Sequence, residues 1–237
     1  MANVGKETAG IGCRESSTAD EDFAVAAGRL ESGALFKAAR CVHISARDII
    51  YREGADADTV YALRGGLIKL ISYLPNGRGR IVRLYGRGIW IGLESLLRQP
   101  YEHTAVAIED VEAFRFRADT LRVLERDDAR RHVHLMSKWH QHLLEADMWI
   151  ADFATGPIRS RVARLLGFLS RIEDRSASGS VKLLTCEEMA AILGVTPESV
   201  SRVLAEFKRT GLLSVMETSQ SELYHCDVGG LERVAWQ

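Results

Sequence analysis

The stretch Thr185–Leu213, TCEEMAAILGVTPESVSRVLAEFKRTGLL, decides how the rest of the chain is read. Thr185 precedes a short apolar-periodic run, and Glu188 follows three positions later. That spacing is a capping box, in which each side chain reaches the other residue's unpaired backbone N–H. The first helix is expected over Cys186–Leu193 and ends at Gly194, because glycine turns left-handed without a Cβ penalty. Val195 is the apolar plug of the turn. Thr196 caps a second helix, with Pro197 at its first position, where a missing N–H does no harm. Val200, Val203, Leu204 and Phe207 share one face of that helix, and Glu198, Ser201, Arg202 and Ala205 share the other. Ala190, Gly194 and Val200 supply the small residue, turn glycine and core aliphatic that two crossed helices need. The stretch reads as a helix-turn-helix.

Upstream, Thr155-Gly156-Pro157 breaks one helix and starts another, Ile158–Ile172, with Val162, Leu165, Leu166 and Leu169 as its buried stripe. Before the break, His132, Met136, Trp139, Leu143, Ala146, Ile150 and Phe153 recur in alternating steps of 4 and 3. Such a heptad seam buries itself best against another helix of its kind. It predicts a homodimer, which sets two helix-turn-helix units side by side over a palindromic DNA site. Packing of the seam on its own domain is the alternative. Downstream of a polar loop at Glu173–Ser180 and of the helix pair, Ser214–Glu217 and Glu222–Cys226 flank Thr218-Ser219-Gln220-Ser221. They read as a hairpin, or wing, and Val228–Trp236 as a closing helix.

The front half changes character. Met1 to about Asp20 is a polar arm, and Ala24–Leu35 reads as a short helix. Strands are expected at Cys41–Ser45, Asp48–Tyr51, Thr59–Arg64, Leu67–Tyr73, Gly79–Tyr85 and Val106–Phe116, with Asn76-Gly77 the strongest hairpin signal. Short strands at close spacing with no helix between them form a small barrel or roll. The fold class is therefore α+β. Residues 1–22 form an arm, 23–127 a β-roll, 128–155 a dimerisation helix and 156–237 a winged helix-turn-helix.

The totals bound the function. The 237 residues are 46% apolar and carry a net charge of −1, which leaves room for a local basic patch but not for a uniformly basic coat. No apolar run approaches the ~20 residues that cross a bilayer, and no signal segment opens the chain, so no membrane partner and a cytoplasmic location are expected. The four cysteines form no CxxC pair. No nucleophile elbow, P-loop, paired-carboxylate or metal-ligand motif appears, so neither an enzyme nor a metal site is expected.

A β-roll, a long helix, a break and a winged helix-turn-helix in this order resemble the CRP/FNR family of bacterial transcription regulators. The resemblance spans roughly residues 30–230 and extends to the glycine placing in Tyr61–Leu97, YALRGGLIKLISYLPNGRGRIVRLYGRGIWIGLESLL. Pro197-Glu198-Ser199-Val200-Ser201-Arg202 is similar to the E-x-x-S-R pattern of the FNR branch. The resemblance implies double-stranded DNA with a TTGAT-like half-site, a homodimer, and RNA polymerase as a further partner. Chemistry assigns the same residues jobs on its own. The Arg202 fork matches the O6 and N7 acceptors of guanine, and Glu198 accepts from an exposed amino group. Ser199 and Ser201 bond to neighbouring bases or phosphates, and Thr196 with the helix start binds phosphate. Lys208, Arg209, Arg159 and Arg161 are candidate backbone contacts.

The roll's ligand is not named by the residues. The family's cyclic-nucleotide pattern has a Gly-Glu pair and, later, Arg-Ser or Arg-Thr on the phosphate. Here Gly92 is followed by Leu93, Glu94 stands one place late, and the later pair is His103-Thr104. The arginine that would neutralise a phosphate is missing, so cyclic AMP is disfavoured. An iron–sulfur cluster needs four thiolates, and only Cys13 and Cys41 precede the helix-turn-helix, so it is disfavoured too. Haem stays open, with His103, His132, His134, His140 and His142 as axial candidates. The candidate pocket comprises Arg83, Trp90, Glu94, His103 and Thr104. The alternative function is a haem- or small-molecule-binding sensor that signals through a protein partner.

Overall fold

The computed structural model describes residues 39–126, 129–172, 180–216 and 223–236. The expected arm, the helix at Ala24–Leu35, Cys13 and the wing turn Thr218–Ser221 lie outside the described residues. So do the side chains of His132 and His134. The chain forms two compact units. Of the described residues, one takes those up to 72 with 84–143, and the other takes 73–83 with those from 144 onward.

The front half of the chain carries β1 (Arg40–Ile44), β2 (Ile49–Tyr51), β3 (Thr59–Gly65), β4 (Ile68–Tyr73), β5 (Gly79–Tyr85), β6 (Trp90–Ile91), β7 (Thr104–Ala107) and β8 (Val111–Arg117). They make two four-stranded sheets, β1-β8-β3-β6 and β2-β7-β4-β5. Alternation along β3 gives the roll its two faces. Val60 and Ala62 join Trp90, Leu93, Phe114, Phe116 and Leu121 in a buried cluster, in which Trp90 stacks on Phe116 at 5.4 Å. Tyr61 lies on the other face, 6.4 Å from Tyr51, which in turn stacks on Tyr101 at 3.9 Å.

The expected strand Val106–Phe116 is two strands, β7 and β8. No glycine or proline marks the turn between them. It is made by the Ile108 and Glu109 N–H groups donating to the Leu67 carbonyl. Two short elements were also not foreseen, β6 and the 3-10 turn Leu93–Leu97. Gly92 opens that turn at φ 77°, where a Cβ would meet the Thr59 carbonyl and the Tyr101 ring. Helix α1 (Ala118–Arg126) follows β8.

The second unit contains the end of α2 (Ala129–Phe153), then α3 (Ile158–Ile172), β9 (Ser180–Lys182), α4 (Cys186–Leu193), α5 (Pro197–Arg209), β10 (Leu213–Met216), β11 (Leu223–Cys226) and α6 (Val228–Ala235). The stripe on α3 is buried at Val162, Leu165, Leu166 and Leu169 as expected. The wing is a three-stranded sheet, β10-β11-β9, because the end of the expected polar loop supplies β9.

The capping box forms as read. Thr185 Oγ1 accepts from Glu188 N at 3.1 Å, and Glu188 Oε2 accepts from Thr185 N at 3.1 Å. Gly194 closes α4 at φ 66°, and its N–H donates to Ala190 O at 2.8 Å. Arg80 donates to the Ile192 carbonyl at 3.4 Å and lies against Gly194, so a Cβ there would collide with its guanidinium.

Two arginines on α3 tie this unit together. Arg164 donates through Nε to Asp152 O, through Nη2 to Thr155 O and through Nη1 to Ala235 O. Arg161 Nη1 donates to Phe153 O at 3.3 Å and to Leu193 O at 2.9 Å. Hydrogen bonds to charged groups contribute about 1.5–3 kcal/mol each, and an orphaned carbonyl adds a desolvation cost. Arg164→Met keeps the apolar stem and removes the donors. It should destabilise this unit by about 2–4 kcal/mol, read as a lower midpoint in urea unfolding followed by tryptophan fluorescence. An unchanged midpoint would show that water replaces the guanidinium without loss.

Candidate nucleic-acid interface

Helix α5 presents its polar face as the caps dictate. Thr196 Oγ1 accepts from Ser199 N at 3.4 Å, and Pro197 occupies the first turn. Val200, Val203, Leu204 and Phe207 are buried. Thr196, Glu198, Ser201, Arg202 and Lys208 are exposed, and Ser199 is half-buried. A polar chain runs along the exposed side. Thr196 Oγ1 and Ser199 Oγ are 3.1 Å apart, and Arg202 Nη2 donates to Ser199 Oγ at 3.4 Å. Arg202 thus has a polar neighbour on its own helix in Ser199. Hydrogen bonds from the Glu198 backbone N–H and the Thr196 hydroxyl hold the Glu198 carboxyl below its ordinary range, with Arg202 adding to them. The α5 dipole favours the same ionised form.

The four candidate backbone cations separate. Lys208 Nζ sits 4.7 Å over the Tyr224 ring of β11 and 3.4 Å from its hydroxyl, yet remains exposed. Arg209 is exposed in the last turn of α5. Arg159 is paired with Glu206 at 2.8 Å and lies over Phe207, so its guanidinium is already engaged. Arg161 is a correction. It turns inward to the Phe153 and Leu193 carbonyls, where burial lowers its pKa, and Arg164 and Arg80 lower it further.

Residues 41–128 match the cyclic nucleotide-binding domain model, and residues 160–234 match the Crp-like helix-turn-helix domain model. The chain is 31% identical over 195 residues to the transcriptional regulator LdrP of Thermus thermophilus, covering 80% of this chain and 93% of that protein. The chain belongs to the CRP/FNR family. A solved CRP-family transcriptional regulator, also from Thermus thermophilus, superposes with TM-score 0.69 at 27% identity, covering 83% of this chain and 97% of that one. FixK2 from Bradyrhizobium japonicum shares the fold, with TM-score 0.72 at 24% identity over 83% and 96% of the two chains. This CRP/FNR regulator is thus a transcription regulator with a DNA-binding helix-turn-helix and a cyclic nucleotide-binding-type roll. The family is one of regulators rather than of enzymes. No described helix is long and apolar enough to cross a membrane.

In the roll of this CRP/FNR regulator the candidate pocket residues divide. Trp90 is corrected, because it is buried in the Phe114–Phe116 cluster, on the face opposite the Tyr51–Tyr101 stack. Arg83 places its guanidinium 5.9 Å over the Trp149 ring. Thr104 is buried and accepts from Glu53 N at 3.0 Å. Glu94 and His103 do come together, joined by Glu102, and one ligand atom from each lies within 4.8 Å of the others. Glu102 was missed, although its place beside His103 in the sequence was the available signal. Burial, and after it the Glu94 charge, pushes the Tyr51 hydroxyl well above its ordinary pKa. The other described histidines lie elsewhere, His140 exposed and His142 at 5.2 Å from the Tyr85 ring.

The lowered Glu198 pKa has a signed consequence. A depressed carboxylate stabilises the fold above the unfolded value, and this stabilisation is lost as pH falls through the folded one. Thermal melts of wild type and Glu198→Gln should therefore differ above the ordinary glutamate value of 4.5 and converge as the pH falls through the lower folded value. A gap that widens in acid would contradict the Thr196–Glu198 contact.

Proposed function

We propose that this chain is a homodimeric, sequence-specific regulator that reads a TTGAT-like palindrome through α5, with the roll sensing an effector and RNA polymerase as a downstream partner. The observation that carries the DNA reading is the aligned Thr196–Ser199–Arg202 chain on the exposed side of α5, beside the ionised Glu198. The Pro-Glu-Ser-Val-Ser-Arg order supports the FNR-like E-x-x-S-R assignment. Arg202 would take the guanine of each half-site, Glu198 and Ser201 would contact neighbouring bases, and Lys208 would hold a phosphate.

The dimer reading rests on a stripe of α2 that is apolar yet uncovered. Met136, Leu143 and Ile150 are each about 60% exposed and Trp139 39%, with Ala146 half-buried. An exposed apolar stripe of this length on a folded chain marks an interface. Phe153 leaves the seam. It is 3% exposed and packs edge-on against Trp149 and Phe168, so the seam available to a second copy ends near Ile150.

Leu143→Glu should put an unpaired carboxylate in the seam, at a cost of several kcal/mol. Sedimentation should then show monomers at concentrations where the wild type is dimeric. A dimer of unchanged affinity would remove the seam as the interface.

Reading and holding can be separated on DNA. Arg202→Ala should lose about 1–3 kcal/mol of discrimination per half-site, roughly a hundredfold over a palindrome if the two losses add. Lys208→Ala should weaken all sequences alike and shallow the salt dependence by about one ion per site. Both are measured by gel shift on a TTGAT palindrome and on a copy with each guanine changed. An Arg202→Ala protein that keeps the parent's preference would show that Arg202 does not read that guanine.

A further inference from the structure

We infer that the roll carries a divalent transition-metal site made by Glu94, Glu102 and His103. The three side chains bring two carboxylates and one imidazole to one place, with their ligand atoms within 4.8 Å of one another. At metal–ligand bonds of about 2.1 Å, ligands at right angles stand ~3.0 Å apart and opposed ones ~4.2 Å. Small side-chain rotations bring the observed set into that range. Among the described residues, none of the three side chains forms a hydrogen bond or an ion pair with a protein group. Glu94 and His103 are half-buried, so their ligand atoms are partly withdrawn from bulk water. Two anionic oxygens close together repel each other, and a dication relieves that repulsion.

Both segments that carry the ligands are held by bonds independent of the cluster. Ser95 Oγ donates to Gly92 O at 2.7 Å, and Arg122 Nη1 donates to Ser95 O at 2.7 Å, which fixes the turn bearing Glu94. The strand end bearing Glu102 and His103 is fixed on both sides. Tyr101 N donates to Ala55 O at 3.0 Å and the Tyr101 hydroxyl to Thr59 O at 2.9 Å, while Thr104 Oγ1 accepts from Glu53 N at 3.0 Å. A site whose backbone is already ordered loses less entropy on binding an ion.

The donor set selects the ion class. One imidazole with two carboxylates suits borderline Zn(II) or the harder Mn(II), and three protein ligands leave coordination positions open. The same two carboxylates repel a phosphate, so the cluster is a cation site and not an anion site. The inference deepens the sensor reading and rests on it only for its regulatory consequence, since metal binding is measured without DNA.

The test uses the full chain, tag-free, stripped with chelator and dialysed. Calorimetric titration with Zn(II) and with Mn(II) should show one ion per chain for at least one of them. Glu94→Gln and His103→Ala should each weaken binding by at least about tenfold, and Glu94→Gln/Glu102→Gln/His103→Ala should abolish it. A His140→Ala/His142→Ala control should bind as the wild type does. A second measurement needs no variant: the bound ion should protect His103 from diethyl pyrocarbonate, read by peptide mass spectrometry. Wild-type affinity in the triple variant, no uptake of either ion at micromolar concentration, or an unprotected His103 would each overturn the site. None of these results would touch DNA binding, which gel shift reads separately.

Discussion

The second unit depends on arginine capture of helix ends. Every α-helix leaves its last carbonyls without intrahelical partners, and those ends carry partial negative charge. Here the C-terminal ends of α2, α4 and α6 converge on Arg161 and Arg164, which stand three residues apart on α3. Arg164 takes Asp152 and Thr155 from the end of α2 and Ala235 from α6. Arg161 takes Phe153 from α2 and Leu193 from α4. Two side chains thus neutralise three helix termini. The withdrawal of Arg161 from water, which lowers its pKa, is offset by the carbonyls it serves. Trp149, Phe153 and Phe168 pack edge-to-face at the same junction and seal it with apolar area.

That anchoring positions α5. Arg161 holds Leu193, the last residue of α4, and Gly194 then turns the chain into Thr196. The direction of α5 therefore follows from a fixed point one short turn away. Along α5 the Thr196, Ser199 and Arg202 side chains form a relay that limits the rotamers of Arg202. A restrained fork loses less side-chain entropy when it meets a base edge than a freely rotating one does.

Much of this was legible in the sequence, and the misses share a cause. Caps, the turn glycine and the buried stripes of α3 and α5 depend on neighbours within a few residues, so local spacing exposed them. The β7–β8 turn was not legible because its hydrogen bonds go to Leu67, far along the chain. Arg161 read as a surface cation because nothing in its neighbourhood shows that two carbonyls from other helices reach it. Phe153 fits the heptad by spacing, but Phe168, fifteen positions later, takes it into the chain's own core. Glu102 was passed over for a related reason. The chain order shows that it neighbours His103, but only the fold brings Glu94 to both.

The fate of the arginines bears on how this chain can hold a polyanion at a net charge of −1. Arg159 is neutralised by Glu206, and Arg161 and Arg164 face helix ends. The cations left exposed on α5 are Arg202, Lys208 and Arg209, and Lys208 already rests on Tyr224. If α5 alone met the backbone, counterion release would supply a modest part of the affinity, and base-edge contacts would carry a larger share. On the proposed reading, discrimination would rest on α5 and on a second copy that doubles its contacts, and the uncovered stripe of α2 would then matter to DNA recognition as much as Arg202.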